Sequence, residues 1–333
     1  MRRAVVCVML FACGDDASSV PPDATVDAAG DASVEQPSSG CGTATGLPLG
    51  TTTVQSMTFG GRERTWRVRL PATYDGSPRP IMFVLHGGFG TAEQIQTRQA
   101  GFDPIAEREG AIVVYPNGIA ANESATNPLV RAQTWNGGAC CGPAVTENVD
   151  DVGFLTAVLD RVEAEACVDK RRVFFTGMSN GGIMSYRMAC EAADRVTAIA
   201  PVAGTLQLAT CSPSRKVPLF AVHGTLDASV LFDGGTGCGP GMVMTRPIPE
   251  IVTEWAGRNA CSGASSTVLA EGDATCVSSG TCDAETVLCS VELGDHSWPS
   301  SPTAPAGGCG TLGGRQSTTF RAGEAIWAFF ARQ

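Results

Sequence analysis

The chain has 333 residues, a formal charge of −10, 43% apolar residues and 17% charged residues. That length and balance fit one large globular domain with a sizeable core. The acidic excess, with no basic stripe along the chain, argues against a nucleic-acid-binding role.

The N-terminus reads as a targeting device. Arg2 and Arg3 supply the positive start and Ala4 to Phe11 a short apolar run, so residues 1–12 are expected to be a signal peptide. Leu10-Phe11-Ala12-Cys13 resembles the lipobox of bacterial lipoproteins, which makes Cys13 the expected lipidation site; the alternative is an ordinary secretory cleavage nearby. Residues 13–45 are rich in Ala, Asp, Ser, Pro and Gly and carry acids but no base. They bury too little apolar surface to offset ordering entropy, and are expected to be a flexible acidic tether. The folded domain is expected over 46–333. No later segment reaches the roughly 20 apolar residues of a spanning helix, so membrane contact is expected only through the N-terminal lipid.

Within the domain, Thr65–Leu70, Ile81–Leu85 and Ala111–Tyr115 read as strands. Residues 120–150 form a long polar, Gly-rich excursion. Asp151–Ala166 carries Val152, Leu155, Leu159 and Val162 at helical spacing. Val173–Thr176 is a strand before a second helix, and Ile199–Val202 and Leu219–Val222 are two more buried strands. Ile251–Gly257 belongs to a helix expected to begin at Pro249. Val287–Leu293 is a late strand and Ala322–Ala331 a closing helix. Short apolar strands alternating with helices predict an α/β fold, a mostly parallel sheet covered on both faces.

Of the 14 cysteines, Cys7 and Cys13 belong to the leader, which leaves an even number in the rest of the chain. In an exported protein this predicts disulfides. Cys261, Cys276, Cys282 and Cys289 are close enough to form a local pair of bridges. Adjacent Cys140-Cys141 and the absence of a C-x-x-C pair argue against a metal site, and none is expected.

Gly177-Met178-Ser179-Asn180-Gly181 follows a strand and precedes a helix. This is the layout of a nucleophile elbow, where a serine is held exposed at the apex of a tight turn. A serine hydroxyl needs a base, and the base needs a group that fixes its tautomer. His296, after the last strand, is the expected base. Asp227, four residues past His223, is the expected orienting acid, with Asp233 a nearby competitor. The order Ser, Asp, His is that of α/β-hydrolases. His86, Ser179, His223 and His296 all fall at strand ends on one predicted sheet edge, where ligands bind in such folds.

His86-Gly87-Gly88-Phe89-Gly90 lies where an oxyanion loop belongs. Its expected donors are the amides of Gly88 and Asn180, with Phe89 the alternative to Gly88. His86 is expected to brace the loop without direct chemistry. Trp135, Phe89 and Trp298 are candidate substrate contacts; Trp135 is either an aromatic wall or a packed residue beside Cys140-Cys141, and Trp298 poses the same choice.

Taken in order, His86-Gly87-Gly88, Tyr115-Pro116-Asn117-Gly118, Thr134-Trp135-Asn136 with Cys140-Cys141, Asn148 to Phe154, Gly177 to Gly182, His223-Gly224-Thr225 with Asp227, and His296-Ser297-Trp298-Pro299 resemble the exported polyhydroxybutyrate depolymerase and feruloyl esterase (LpqC-like) group of serine esterases. The likeness spans roughly residues 46 to 333. It implies the α/β-hydrolase fold, a triad on Ser179, Asp227 and His296, and no cofactor. Two departures bear on the pocket rim: Leu293-Gly294-Asp295 and Ser300-Ser301 flank the last motif where glycines are usual, and the stretch Gly234 to Gly241 is enlarged.

The expected function is extracellular or cell-envelope carboxylic ester hydrolysis by a monomer, through an acyl-enzyme. Polyhydroxybutyrate-type polyesters or oligomers are the first substrate expectation, and feruloyl or acetyl esters of plant polysaccharide the alternative. An acyl transferase, a serine peptidase, or a catalytically inactive surface binding protein on the same fold are the rivals.

Overall fold

Ile81, Phe83 and Leu85 point to one side of their strand and Met82 and Val84 to the other, and all five are fully buried. A strand apolar on both faces belongs inside a sheet covered on both sides. The computed structural model, which describes residues 36–122, 132–238, 244–302 and 314–333, has that architecture. Cys13, the expected signal peptide and the tether up to residue 35 lie outside the described residues.

The main sheet has ten strands. In chain order they are β1 (Thr52–Phe59), β2 (Arg62–Arg69), β3 (Arg79–Leu85), β4 (Ile112–Pro116), β5 (Val168–Met178), β6 (Ala198–Val202), β7 (Leu219–Gly224), β8 (Ser266–Glu271), β9 (Ala274–Ser278) and β10 (Thr286–Val291). Across the sheet the order is β1-β2-β4-β3-β5-β6-β7-β10-β9-β8. Strands β4 to β10 in that order are parallel, and the antiparallel pairs β1-β2 and β8-β9 flank them.

Five helices cover the faces: α1 (Asp103–Glu109), α2 (Asp151–Glu165), α3 (Asn180–Glu191), α4 (Ile248–Arg258) and α5 (Ala322–Phe330). Phe154 and Leu159 of α2, Met184 and Tyr186 of α3, and Ile251 and Trp255 of α4 join Phe83 and Leu85 in one core. Ile105 of α1 and Ile326, Trp327 and Phe329 of α5 join Met82 and Val84 in the other. The helix predicted over 151–166 starts at a proper cap, with the Asp150 carboxylate accepting from the Gly153 N–H at 2.8 Å.

The parallel register puts all the functional loops on one edge. Leu85 pairs with Gly177, Met178 with Val202, and Gly224 with Val291. The residues that follow these strand ends therefore emerge together at the carboxyl edge.

Residues 36–45, expected to belong to the tether, are instead part of the folded unit. Ser38 N–H donates to Val168 O at 2.9 Å, Gly40 N–H to Glu163 O at 2.8 Å, and Cys41 is disulfide-bonded to Cys167. Composition misjudged them because their anchorage is backbone pairing and one disulfide, with almost no apolar burial. Strands β1, β8 and β9 were not anticipated either: β1 and β8 are edge strands with exposed, polar-rich faces.

The expected local pair of bridges forms as Cys261–Cys282 and Cys276–Cys289. Cys190–Cys211 and the adjacent Cys140–Cys141 are also bridged, and Cys238 is disulfide-bonded. Among the described residues, no helix is long and apolar enough to cross a membrane.

Candidate active site

Strand β5 delivers Ser179 into a turn that few residues tolerate. Its backbone has φ 55° and ψ −118°, a region costly for any side chain. The surroundings hold it there. Ser179 N–H donates to Val202 O and its carbonyl accepts from Ile183 N–H, both at 2.8 Å. The flanking glycines are demanded by space. A Cβ on Gly181 would lie 2.3 Å from Leu85 O, and one on Gly177 would lie 2.7 Å from the same oxygen. Both contacts are with backbone, so a side chain at either position would drive α3 away from β3.

His296 joins the serine to Asp227. Its Nε2 lies 2.8 Å from Ser179 Oγ, and its Nδ1 lies 2.7 Å from Asp227 Oδ2. The loops that carry base and acid are stitched to each other. Leu226 N–H donates to Gly294 O, Thr225 N–H to Val291 O, and Leu293 N–H to Thr225 Oγ1, each at 2.9 Å. Gly224 permits this approach, since a Cβ there would sit 2.4 Å from Gly294 O.

Asp227 is 2% exposed. Its Oδ1 accepts from the N–H groups of Ser229 and Val230, both at 2.8 Å. Burial works against its ionisation, but the His296 charge and the bonds from His223 and His296 outweigh it and hold the carboxyl well below the usual carboxylate range. The competitor Asp233 is exposed.

The glycine loop after β3 passes beside the elbow. A Cβ on Gly87 would contact Ser179 Cβ at 3.5 Å, and one on Gly88 would contact Asn180 Cβ at 3.5 Å. Among the described residues Gly88 N–H has no acceptor, and Asn180, the first residue of α3, has none for its N–H within the helix. Phe89 is not an alternative donor: its N–H is taken by Gln133 O at 2.7 Å. His86 braces the loop as expected. Its Nδ1–H donates to Gly87 O at 2.8 Å, and its Nε2 accepts from Gly118 N–H at 2.9 Å. Burial pushes this imidazole down to about 4, against the Gly87 bond, so the ring is neutral near pH 7.

Two of the three candidate substrate contacts are corrected. Trp135 is fully buried, tilted against His86, with its indole N–H donating to His86 O at 3.0 Å. It supports the glycine loop from behind and forms no wall. Trp298 is 2% exposed and meets Phe102 edge-on. Both tryptophans pack inward because their rings fill core space that their neighbours leave. Phe89 is the one that is open, at 42% exposure, on the same loop as Gly88.

Sequence reading missed three contributors. The Asn180 side chain is locked reciprocally to the Trp135 backbone: Oδ1 accepts from Trp135 N–H at 2.7 Å and Nδ2 donates to Trp135 O at 3.0 Å. Below it, Asp151 and Arg64 form a buried ion pair at 2.7 Å, and Asp151 also accepts from Asn136 N–H at 2.8 Å. His223 also reaches Asp227, with Nε2 3.2 Å from Oδ2, the same oxygen that His296 contacts. The sequence hints were the proximity of His223 to Asp227 in the chain and the Trp-Asn and Asp-Asp pairs in the ordered motifs.

A hydroxyl on a strained turn, an imidazole in contact with it, an ionised carboxylate behind the imidazole, and two unengaged amides nearby together suit nucleophilic attack on a carbonyl carbon. Among the described residues no cluster of His, Cys, Asp and Glu is arranged to hold a metal ion.

No family model matches the chain. Its sequence is similar to that of Feruloyl esterase B of Piromyces equi, 32% identical over 211 residues that cover 59% of this chain and 35% of that protein. It is similar also to Feruloyl esterase D of Neurospora crassa, 32% identical over 203 residues that cover 57% of this chain and 62% of that protein. The chain thus spans less than two thirds of the length of these relatives. Among solved structures it is similar to an acetyl xylan esterase from Aspergillus awamori, with a TM-score of 0.52 and 15% identity over 74% of this chain and 94% of that one. The fold is that of the α/β-hydrolases, and the sequence relatives are esterases.

Proposed function

We propose that the chain is a serine carboxylic ester hydrolase. The observation that carries this reading is the unbroken hydrogen-bonded series from Ser179 through His296 to Asp227, seated on a backbone turn that costs stability. Ser179 Oγ attacks the ester carbonyl while His296 Nε2 takes its proton. Asp227 keeps Nδ1 protonated and balances the imidazolium, without accepting the proton itself. The Gly88 and Asn180 amides hold the oxyanion of the tetrahedral intermediate. His296 then protonates the leaving alcohol. A water, activated by the same imidazole, cleaves the acyl-enzyme.

For the substrate we propose feruloyl-type esters of plant polysaccharide. Two relatives at 32% identity carry the name feruloyl esterase, which supports this reading over the polyhydroxybutyrate reading expected first. Phe89, open beside Gly88, is the proposed aromatic contact. The test is a matched comparison of methyl ferulate, p-nitrophenyl acetate and 3-hydroxybutyrate oligomers. The reading expects the highest kcat/KM on the ferulate ester. A clear preference for the hydroxybutyrate oligomers would return the substrate to a polyester, and release of no acid from any of them would reject the hydrolase.

The proposal extends to location. Five disulfides among the described residues support export to an oxidising compartment, and we propose further that the chain is a monomer with Cys13 lipidated ahead of the acidic tether. The intact mass of the mature protein tests this: diacylglycerol on Cys13 supports it, and an unmodified N-terminus refutes the anchor.

A further inference from the structure

The proposed chemistry uses one histidine on Asp227, yet a second one is buried against the same carboxylate. His223 is the penultimate residue of β7, is 2% exposed, and lies tilted against Phe232. Its Nε2 faces two oxygens, Val230 O at 2.7 Å and Asp227 Oδ2 at 3.2 Å. If Nε2 were unprotonated, its lone pair would face both oxygens with no proton between them. The proton therefore sits on Nε2, shared between a carbonyl and a carboxylate. Val230 also donates its own N–H to Asp227 Oδ1 at 2.8 Å. The imidazole thus grips the turn 227–230 at its carbonyl and the carboxylate at the oxygen that His296 uses.

We infer that His223 is a positioning residue for the reaction: its Nε2–H fixes Asp227 Oδ2 against His296 Nδ1, directly and through Val230. This inference rests on the esterase reading for its kinetic consequence, but not for its structural one. Each oxygen of Asp227 receives two N–H donors, so the carboxylate has little freedom to rotate or shift away from His296. Removal of the His223 donor takes from Oδ2 one of its two imidazole donors and from the Val230 carbonyl its bond to His223.

The experiment uses the full chain with His223→Phe, His223→Gln and His223→Asn. Gln can present an N–H close to where Nε2–H stood, whereas the Asn amide ends one bond short. The expected result for His223→Phe is a fall in kcat of about 10- to 100-fold on p-nitrophenyl acetate, with KM moving less than about threefold. His223→Gln should recover most of the loss and His223→Asn should not. In an Asp227→Asn background, His223→Phe should cost less than about twofold more, since the carboxylate it serves is gone. The low-field NMR signal of the His296 Nδ1 proton gives a readout that needs no turnover, and it should shift or broaden in His223→Phe and return in His223→Gln. An unchanged signal in His223→Phe overturns the inference, as does equal loss in Gln and Asn that follows their thermal stability. If the wild-type chain hydrolyses no ester, the esterase reading falls, while the NMR comparison still decides the role of His223.

Discussion

Asp227→Asn is the substitution whose outcome the geometry constrains most tightly. The two oxygens of Asp227 sit in different surroundings. Oδ1 faces the N–H groups of Ser229 and Val230 at 2.8 Å, and Oδ2 faces His296 Nδ1 at 2.7 Å and His223 Nε2 at 3.2 Å. An asparagine has one oxygen and one NH2 group. Its oxygen belongs at the Oδ1 site, because an NH2 there would oppose two backbone donors that cannot move. The NH2 then points at His296 and forces Nδ1 to accept. The imidazole proton is pushed to Nε2, where it faces Ser179 Oγ, and the ring can no longer take the serine's proton. The same NH2 opposes the His223 Nε2–H. Replacement of a triad carboxylate by its amide in this manner costs about 10⁴-fold in kcat, or about 5 kcal/mol of transition-state stabilisation. The assay is turnover of p-nitrophenyl acetate beside circular dichroism, with Asp233→Asn, at an exposed position, as the control expected within about twofold of wild type. An Asp227→Asn protein that folds and keeps more than about a tenth of wild-type kcat would refute the tautomer argument.

Other consequences can be read from the same contacts. Ser179→Gly should be more stable than Ser179→Ala by roughly 1–2 kcal/mol, because glycine accepts the positive φ that costs serine and alanine alike; equal melting temperatures would count against strain at the elbow. Asn180→Ala removes the acceptor of the buried Trp135 N–H and one of the two donors to Trp135 O, where Cys141 N–H remains, and should destabilise the fold by about 1–3 kcal/mol, read by urea denaturation, with a fall in kcat as the glycine loop loses its support. His86 is held near 4 against an unfolded value near 6.5, so between those values the unfolded chain binds the extra proton. Stability is therefore greatest above about pH 6.5 and falls as pH drops toward 4, by up to about 3 kcal/mol from this group. His86→Asn should flatten that slope in melting temperature against pH, and an unchanged slope would contradict the assignment. Asp227 runs the usual carboxylate way: its depressed value contributes stability above about pH 4 that is lost as pH falls below.

The parallel sheet was legible because its strands are short apolar runs, such as Ile81–Leu85 and Val173–Thr176, whose burial on both faces leaves no ambiguity. The elbow was legible because its demands are local: a glycine on each side, a strand before and a helix after. Base and acid could be named because they follow strand ends, where the fold gathers its loops. What escaped the sequence depends on distances across the chain. Nothing local says that Phe89 N–H is spent on Gln133, or that His223 turns its Nε2 toward Asp227. For Trp135 and Trp298 the choice between substrate wall and packed residue stayed open, because sequence does not tell which way a ring faces. Residues 36–45 looked like tether because their attachment runs through backbone bonds and Cys41–Cys167, which leave no apolar pattern. The strands at the sheet edges were hidden by their polar, solvent-facing sides.

The most direct measurement is covalent labelling by a fluorophosphonate, followed by intact mass and peptide mapping. The account predicts one adduct per chain, on the peptide that carries Ser179, lost in Ser179→Ala and slowed in His296→Ala. An adduct on another residue, or ester hydrolysis that survives in Ser179→Ala, would contradict it.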